Sequence, residues 1–385
     1  MRLWQLALFA VAISLVVFGL HHFLWARLFR DPLWPAPWTR GGAVLLMSLG
    51  LAIPVTMVFS RALPRAIVTP FAWIVFVWMG TAFLLFSLLL LGELAGVALS
   101  AAGMLRDPAR RQFFARAVAL GAGGVGLLAS ALAVHTALAR LVVRTVRVPL
   151  AKLHPSMEGF TVVQLTDIHV GPTIDRAFIE AMVAQVNELD ADVVVITGDL
   201  VDGSVDALGH HVAPIAGLRA KHGVFFVTGN HEYYSGVDAW IAEVQRHGVR
   251  VLRNEHVTVG EGDARIDLAG VDDWSAHRFG HGHGADLPRA LAGRDTSREV
   301  ILLAHQPKAV AEAASLGVGL VLSGHTHGGQ IWPFSYLVAL DQPIVGGLHR
   351  VKDTWAYVSE GTGYWGPPMR LRTHGEITRV VLSRG

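Results

Sequence analysis

The chain has 385 residues, of which 52% are hydrophobic and 16% charged, and its mean hydropathy is +0.44. This composition is too apolar for a soluble enzyme of this length and excludes a disordered polymer, so we expect part of the chain to lie in lipid. The first 138 residues carry ten arginines and three acids, a net charge of +7, whereas the rest carry 22 basic and 27 acidic side chains, a net charge of −5. An acidic globular half repels a phosphate backbone, so we expect no nucleic-acid partner.

Four apolar stretches are long enough to cross a hydrocarbon core about 30 Å thick, which needs roughly 20 helical residues. They predict transmembrane helices at approximately Leu3 to Leu20, Ala43 to Ser60, Phe71 to Leu99 and Ala117 to Leu138. No small-residue cleavage site follows the first, which therefore reads as a retained helix and not as a signal peptide. The glycines from Gly121 to Gly124 predict close packing in the fourth helix.

An even number of spans puts the N-terminus and the globular half on one side of the membrane. Seven basic residues flank the spans on each side, so the number of arginines and lysines does not decide the orientation. We expect the globular half on the cytoplasmic side. A transporter would need ionisable groups within its spans, and Glu93 is the single candidate. This argues against transport.

From Gly159 onward, short β-branched runs alternate with helical periods, which predicts an α/β layered domain. Helices are expected after an N-cap at Asp175 and over Val205 to Ala220, Val237 to His247 and Pro307 to Leu316. Strands buried on both faces are predicted at Thr161 to Leu165, Val193 to Thr197, Val224 to Thr228, Val300 to Ala304 and Gly319 to Leu322. The predicted domain limits are 1–140 for the transmembrane helices, 141–158 for a linker and 159–385 for the globular domain.

Polar residues of metal-ligating types follow each predicted strand. In chain order they are Asp167 and His169, Gly198-Asp199, Gly229-Asn230-His231-Glu232, His305, and Gly324-His325-Thr326-His327. Ligands gather at the carboxyl ends of strands in open α/β sheets, so we expect these groups at one edge of the sheet.

The chemistry of these groups suits a pair of divalent metal ions. Residues two apart in an extended segment point the same way, so Asp167 and His169 can converge on one ion. Asp199 can bridge both ions through its two oxygens. The chain contains no cysteine, and mixed imidazole, carboxylate and amide ligation favours Mn, Fe, Zn or Co over Ca or Mg. Two such ions can activate a water for in-line displacement at phosphorus. His231 is placed either to act as general acid or to stabilise charge on the phosphoryl oxygens.

These motifs, in this order from Asp167 to His327, resemble those of the calcineurin-like metallophosphoesterase superfamily. The strings Thr197 to Gly203, Gly229 to Tyr234 and Gly324 to Gln330 are most similar to its bacterial membrane-associated branch, the YkuE/YaeI-like phosphodiesterases. The resemblance covers about residues 155–383 and leaves the apolar half unmatched. It implies a four-layer α-β-β-α sandwich, a dinuclear metal site, phosphoester or pyrophosphate hydrolysis and a bacterial cell membrane.

The resemblance also assigns roles to single residues. It implies that one metal is bound by Asp167, His169, Asp199 and His327, that the other is bound by Asp199, Asn230, His305 and His325, and that His231 is catalytic. It further implies a closing strand within Val358 to Leu371.

Several other polar residues have two interpretations. Asp202 and Asp206 are either partners of the ligands or acids that favour a helix N-terminus, and we prefer the second. His277, His281 and His283 lie in a glycine-rich loop with no helix or strand to fix them, which favours a solvated loop over a lid on the substrate.

Two further segments each have two interpretations. Asp272 and Asp273 either face the cleft or cap a turn. The apolar run Ile331 to Leu337 either packs in the core or contacts a membrane or an acyl chain, and it contains no clean helical pattern.

The sequence therefore predicts a membrane-embedded, dinuclear metal-dependent phosphoesterase. A lipid-linked phosphodiester or pyrophosphate is the most natural substrate for a site tethered to a bilayer. The alternatives are a UDP-2,3-diacylglucosamine-type pyrophosphatase of lipid A synthesis and a catalytically silent, membrane-anchored binding or regulatory domain. The sequence leaves the oligomeric state undefined.

Overall fold

Long apolar helices form the first part of the chain, and two mixed β-sheets form the second. The structure, a computed structural model, describes the backbone of residues 3–59 and 63–385, and the side-chain surroundings of residues 14–57, 59 and 63–385. The chain divides into two units, Met1–His135 with Gly366–Met369, and Thr136–Trp365 with Arg370–Gly385. Each unit has its own buried apolar cluster.

Four long helices occur in the first unit. They are α1 (Leu3–Trp25), α2 (Ala36–Phe59), α3 (Arg65–Ala101) and α4 (Pro108–Leu138). Among the described residues, three helical stretches are long and apolar enough to cross a membrane, namely Ala36–Met57, Arg65–Ala101 and Pro108–Leu138. The span predicted at Leu3 to Leu20 falls on α1, whose side chains before residue 14 lie outside the described residues, as does the predicted span end at Ser60.

The packing of α3 against α4 differs from the sequence prediction. An added Cβ at Gly126 would lie 2.6 Å from Leu85 Cδ2, so this glycine permits the close approach of the two helices. Within the predicted stretch Gly121-Ala122-Gly123-Gly124, Ala122 is buried in the cluster that includes Leu85 and Leu89, whereas the three glycines have open space beside them. The motif lies within about one helical turn of Gly126. The sequence does not show which face of α4 packs against α3.

The ionisable residue predicted within the spans is paired. Glu93 on α3 forms an ion pair with Arg27 at 2.9 Å, and Arg27 also forms an ion pair with Asp31. A carboxylate neutralised in this way is a structural contact between helices.

Twelve strands in two six-stranded sheets make up the frame of the second unit. The first sheet has the order β1-β12-β2-β3-β4-β5, and the second has the order β10-β11-β9-β8-β7-β6. The strands are β1 (Val142–Leu150), β2 (Thr161–Leu165), β3 (Val193–Thr197), β4 (Val224–Val227), β5 (Arg250–Val251), β6 (Glu255–Glu261), β7 (Ala264–Gly270), β8 (Val300–Leu303), β9 (Leu320–Ser323), β10 (Gly347–Val351), β11 (Thr354–Val358) and β12 (Glu376–Arg384). The five predicted strands are confirmed to within a residue, but they belong to two sheets and not to one.

Seven short helices accompany the strands within the described part of this unit. They are α5 (Arg176–Asn187), α6 (Val205–Val212), α7 (Asn230–Ser235), α8 (Val237–Arg246), α9 (Leu287–Ala290), α10 (Val310–Ser315) and α11 (Ser335–Val338). The predicted N-cap is confirmed, because the Asp175 carboxylate accepts hydrogen bonds from the N–H groups of Ala177 and Phe178. The predicted helix from Val205 ends early, at Val212, and continues as a 3₁₀ turn.

Alternation along the strands explains why they are buried on both faces. On β3, Val194 and Ile196 belong to the apolar cluster that includes residues of α5, α6 and α8, whereas Val193 and Val195 belong to a second cluster with residues of β7, β8 and β9. Successive side chains on a strand point to opposite faces, so one face of the first sheet packs on helices and the other on the second sheet.

The region predicted as a linker, 141–158, contains a strand. β1 pairs in parallel with β12, from Val142 opposite Glu376 to Leu150 opposite Arg384, and Val148 is fully buried. The closing strand of this sheet is β12, and not the stretch Val358 to Leu371 that the resemblance implied, most of which is a loop.

The burial of β1 predicts a difference between two equivalent substitutions. Val148→Asn should lower the free energy of unfolding by about 3 kcal/mol or more, because it removes a buried apolar side chain and leaves an amide without a partner. Val142→Asn, at an exposed position of the same strand, should change it by about 0.5 kcal/mol or less. Urea unfolding of the full chain in detergent measures both, and equal losses would contradict the position of β1 in the core.

Candidate metal centre

The turn after β2 carries the first two predicted ligands. Asp167 and His169 are both buried, and both have left-handed backbone, with φ of 52° and 55°. The residue between them, Ile168, is fully buried in the apolar cluster beneath the helices. The two side chains therefore reach the same site from a strained turn, and not from the extended segment that the sequence predicts.

The turn after β3 brings Asp199 to the middle of the site. Its Oδ2 lies 3.1 Å from His305 Nε2, 3.8 Å from His169 Nε2 and 3.9 Å from His231 Nε2. The preceding residue must be glycine, since φ at Gly198 is +89° and an added Cβ would lie 2.5 Å from the backbone nitrogen of Gly229. One carboxylate thus faces imidazoles from three different turns.

The fully buried carboxylate of Glu232 connects the turns after β3 and β4. It accepts hydrogen bonds from the backbone N–H groups of Gly229 at 2.6 Å, Leu200 at 2.8 Å and Asp199 at 3.0 Å. The sequence contains this glutamate in Gly229-Asn230-His231-Glu232, but its role was missed because its partners are backbone atoms of another turn.

Two imidazoles converge beside Asp199 from the second sheet. His305 donates its Nδ1–H to the carbonyl of Thr197 at 2.8 Å, which directs its Nε2 into the site. That Nε2 lies 3.2 Å from His325 Nδ1. The arrangement has the form of a metal-binding histidine whose second nitrogen is fixed by a backbone acceptor.

A second convergence occurs on the other side of Asp199. His169 Nε2 lies 3.1 Å from His327 Nε2, which in turn lies 3.5 Å from Asp167 Oδ1. The backbone N–H of His325 donates to both oxygens of Asp167 at 2.9 Å, so the turns after β2 and β9 are tied to each other.

Among the described residues, three groups have donor atoms close enough to hold a metal ion. They are Asp167, His169 and His327; His169, Asp199 and His231; and Asp199, His305 and His325, with donor atoms within 4.8 Å of one another in each group. The structure thus brings together all the predicted imidazole and carboxylate ligands. It also groups His231 with two of them. Asn230 is buried at the start of α7, next to His231.

A buried polar atom of these residues supports a cation in the site. Asn230 Oδ1 has no hydrogen-bond partner in the part of the chain that the structure describes. A buried polar atom without a partner costs about 1–3 kcal/mol. The amide oxygen and the clustered imidazoles form a donor set that fits a divalent transition metal.

Burial and neighbouring charges shift the pKa values of several site residues. Burial would raise the pKa of Asp199, yet the cations of His305 and His231 hold that pKa well below its usual range. Burial would lower the pKa of His231, but Asp199 and Asp202 raise it to about 9. The pKa of His325 falls to about 4, through burial and repulsion by His305. Such a cluster exchanges protons for a metal ion when one binds.

Asp202 is a partner of the predicted ligands, and the preferred interpretation of this residue was wrong. Its Oδ1 lies 2.9 Å from His169 Nδ1 and 2.6 Å from His231 Nδ1, so it accepts from both rings. It precedes α6, whose N-cap is Ser204. Asp206 lies exposed in the first turn of α6, where an acid favours the helix dipole.

Arg370 is a further residue that the sequence analysis missed. Its fully buried guanidinium donates to the carbonyls of Glu360 at 2.8 Å, Gly361 at 3.1 Å and Gly363 at 2.5 Å. The N–H of Gly363 donates in turn to the carbonyl of Asp167 at 3.0 Å. Arg370 therefore supports the loop that lies against the Asp167 turn.

The remaining acidic pair has hydrogen-bond partners other than the predicted ligands, although the charge of Asp273 acts on His305 and His325. Asp272 forms a bidentate ion pair with Arg253, and Asp273 accepts from the N–H of Ser275 and the side chain of Gln306.

The glycine-rich histidine loop is more ordered than expected, because it begins with a 3₁₀ turn from Ala276 to Phe279. Within it, His277 and His281 are exposed, whereas His283 lies 2.9 Å from Arg253.

Comparison with known proteins is consistent with this geometry. Residues 160–329 match the family described as calcineurin-like phosphoesterase. An uncharacterized metallophosphoesterase from Aquifex aeolicus is 36% identical over 232 residues, which cover 60% of this chain and 87% of that protein. The uncharacterized metallophosphoesterase YkuE of Bacillus subtilis is 30% identical over 235 residues, covering 59% of this chain and 80% of that protein.

A longer relative matches at higher identity. A transmembrane protein with metallophosphoesterase domain from Bos taurus is 46% identical over 252 residues, covering 63% of this chain and 57% of that protein. The chain therefore spans a little over half the length of that relative.

The double contact of Asp202 predicts a specific loss. Asp202→Ala should weaken Mn²⁺ binding or reduce turnover of an aryl phosphodiester by about 10- to 100-fold, because both imidazoles lose the acceptor that orients them. The control is Asp206→Ala, four residues on and exposed, which should change neither quantity. Titration calorimetry with Mn²⁺ and initial rates measure the two effects. Wild-type values for Asp202→Ala would show that the rings are held by other contacts.

Proposed function

Because this chain belongs to the calcineurin-like metallophosphoesterase family, whose members are metal-dependent phosphoester hydrolases, we propose that it is a membrane-embedded enzyme with a dinuclear metal centre. Its proposed reaction is hydrolysis of a phosphodiester or a pyrophosphate, and a lipid-linked substrate suits it best. The position of Asp199 between two groups of ligand-type side chains is the observation that carries this proposal.

In this proposal, Asp199 would bridge the two metal positions mainly through Oδ2, the oxygen that faces both His305 and His169, and not through one oxygen for each position as the sequence analysis expects. The first ion would be held by Asp167, His169, Asp199 and His327, and the second by Asp199, Asn230, His305 and His325. The partnerless Asn230 Oδ1 and the His305 ring fixed by Thr197 support these assignments. The donor set favours Mn, Fe, Zn or Co. Two such ions, when bound, supply positive charge for the phosphoryl oxygens and for the attacking water.

His231 is the general acid of the proposed reaction. Asp202 holds its Nδ1 at 2.6 Å, so the ring keeps one orientation and presents Nε2 to the leaving oxygen. Its backbone N–H donates to Asp199 Oδ1 at 2.9 Å, which fixes the residue beside the metal positions without requiring its side chain as a ligand.

The layer order of the catalytic domain is proposed to be α-β-β-α. Three separate buried clusters support it. One includes helices α5, α6 and α8 with the first sheet, one includes residues of both sheets, and one includes α9 and α10 with the second sheet.

Membrane embedding is proposed for the apolar helices, with the α1 span included and the catalytic domain on the cytoplasmic side. α4 ends at Leu138 and β1 begins at Val142, so that three residues, which reach roughly 10 Å when extended, connect them. We propose residues 1–140 for the transmembrane helices and 159–385 for the catalytic domain, to which β1, within the segment 141–158 predicted as a linker, adds an edge strand. A catalytic domain on so short a tether works on substrates at the bilayer surface.

Exposed aromatic side chains support a lipid substrate. In the run Ile331 to Leu337, only the first residue is buried, whereas Trp332, Phe334 and Tyr336 are exposed. The guanidinium of Arg372 lies 5.8 Å from the ring centroid of Trp332. Aromatic rings beside an arginine suit the headgroup region of a membrane.

The bridging role of Asp199 and the catalytic role of His231 predict opposite patterns of loss. Asp199→Asn should lower metal content at both positions and remove activity, since an amide replaces a bridging oxygen. His231→Ala should keep both metals, while turnover falls by about 100- to 10,000-fold, and by less when the leaving group is p-nitrophenolate. Metal analysis and rates with Mn, Zn and Fe on phosphodiesters, phosphomonoesters and lipid pyrophosphates measure both.

Two results would contradict these roles. Full metal content with wild-type turnover in Asp199→Asn would exclude the bridge, and loss of metal in His231→Ala would make this residue a ligand. Metal-loaded wild-type protein that cleaves none of these substrates would favour a silent binding domain.

The exposed aromatic run predicts a substrate-dependent effect. Replacement of Trp332 and Phe334 by Ser should raise the apparent KM for a lipid phosphodiester in vesicles at least about threefold, because an apolar contact with the bilayer is lost. Hydrolysis of a small soluble phosphodiester serves as the control and should hardly change. Equal effects on both substrates would show that the two residues support the fold instead.

A further inference from the structure

Three aromatic rings from separate segments lie close to His231, two of them beside its ring and the third beside one of those two. Tyr234 of α7 lies 5.2 Å from the His231 ring, and Trp365, in the loop after β11, lies 6.0 Å from it. Phe279, in the 3₁₀ turn before the glycine-rich loop, lies 5.5 Å from Tyr234. These distances between ring centroids are within the range of direct aromatic contact.

All three rings are exposed on their outer sides. The exposed fraction is 58% for Tyr234, 53% for Trp365 and 44% for Phe279. The neighbouring Tyr233, in contrast, is buried. Exposed aromatic rings beside the proposed general acid are suited to form a binding surface.

The rings are held by fixed neighbours. The side-chain oxygen of Gln330 accepts from the N–H of Trp365 at 2.9 Å, and its amide donates to the carbonyl of the same residue at 3.0 Å. Gln330 is three residues after His327, so the backbone of Trp365 is fixed relative to the metal centre. Phe279 packs on Tyr233, at 5.6 Å between ring centroids. Such a surface needs little ordering when a ligand binds.

The location beside His231 defines which part of a substrate the rings would contact. A general acid gives its proton to the oxygen that leaves, so the groups around it surround the leaving alcohol. We propose that Tyr234, Trp365 and Phe279 form an apolar subsite for the leaving group, and that the substrate is a phosphodiester whose departing alcohol carries an alkyl group. This inference rests on the proposed function and narrows it to diesters.

The reaction at this subsite is a balanced hydrolysis. The oxygen of water forms the new bond to phosphorus, and the bond from phosphorus to the alkoxy oxygen breaks. His231 gives its proton to the departing oxygen and is reprotonated from the medium, to which the water has released a proton. The products are an alcohol and a phosphomonoester.

Butyl methyl phosphate tests the subsite by competition within one molecule. Its two esters have leaving groups of similar basicity, so that without a subsite butanol and methanol form in nearly equal amounts. Burial of one methylene changes such a ratio by up to about fourfold. We expect the metal-loaded wild-type protein to release butanol over methanol by at least about tenfold.

Substitutions in the subsite should reduce this preference. In Trp365→Ala and in Tyr234→Ala, we expect the ratio to fall below about threefold, and Trp365→Phe should restore most of it. The ratio does not depend on the fraction of folded or metal-loaded protein, so partial unfolding of a variant leaves it readable. Leu340→Ala is the control, since Leu340 is 84% exposed and outside the subsite, and it should keep the wild-type ratio.

The outcomes separate this inference from the proposed function. A wild-type ratio near one, or an unchanged ratio in both alanine variants, would overturn the subsite while hydrolysis continued. Absence of hydrolysis of both butyl methyl phosphate and bis(p-nitrophenyl) phosphate with Mn, Zn and Fe would overturn the proposed function, and the subsite with it.

Discussion

The buried carboxylate of Glu232 is the interaction on which the site depends. It accepts hydrogen bonds from three backbone N–H groups in two different turns, and hydrogen bonds to a carboxylate are roughly twice as strong as those between neutral groups. One of these N–H groups belongs to Asp199, and Gly229 directly precedes Asn230 and His231. The positions of three proposed functional residues therefore follow from a side chain that is not itself among the proposed ligands. Without it, three buried donors would lose their acceptor.

The backbone of the site stores strain that the surrounding contacts must offset. Asp167, His169, Asp199, His325 and His327 all have positive φ between 51° and 71°, a region that side chains other than glycine rarely adopt. Residues in sparsely populated regions cost about 1–3 kcal/mol each and persist only where their surroundings fix them. Here the surroundings are reciprocal hydrogen bonds between the turns. The same strain directs five side chains toward one volume that relaxed turns would leave apart.

Much of this arrangement could be predicted from the sequence, because its signals are local. Runs such as Val193 to Thr197 predict buried strands, and polar residues directly after them predict a site. The sequence pattern does not show which turns touch. Asp202 meets His231, 29 residues away, and Arg370 supports the Asp167 turn from a distant loop, contacts that no spacing encodes. The composition of the strands does not show which sheet each one joins, since a fully buried strand has the same composition in either. The family resemblance alone implied a second sheet.

The place of β12 in the first sheet also determines when the site can be completed during synthesis. β12 lies between β1 and β2, and it pairs with a strand made about 230 residues earlier. The loop beside Asp167 depends on it as well, because the N–H of Glu376 donates to the carbonyl of Gly361 at 3.0 Å and Thr362 Oγ1 donates to the carbonyl of Glu376 at 3.0 Å. While the ribosome is still translating the region before residue 376, β1 lacks its partner and the Asp167 turn lacks part of its support. The apolar helices therefore leave the ribosome before the proposed metal centre can be completed.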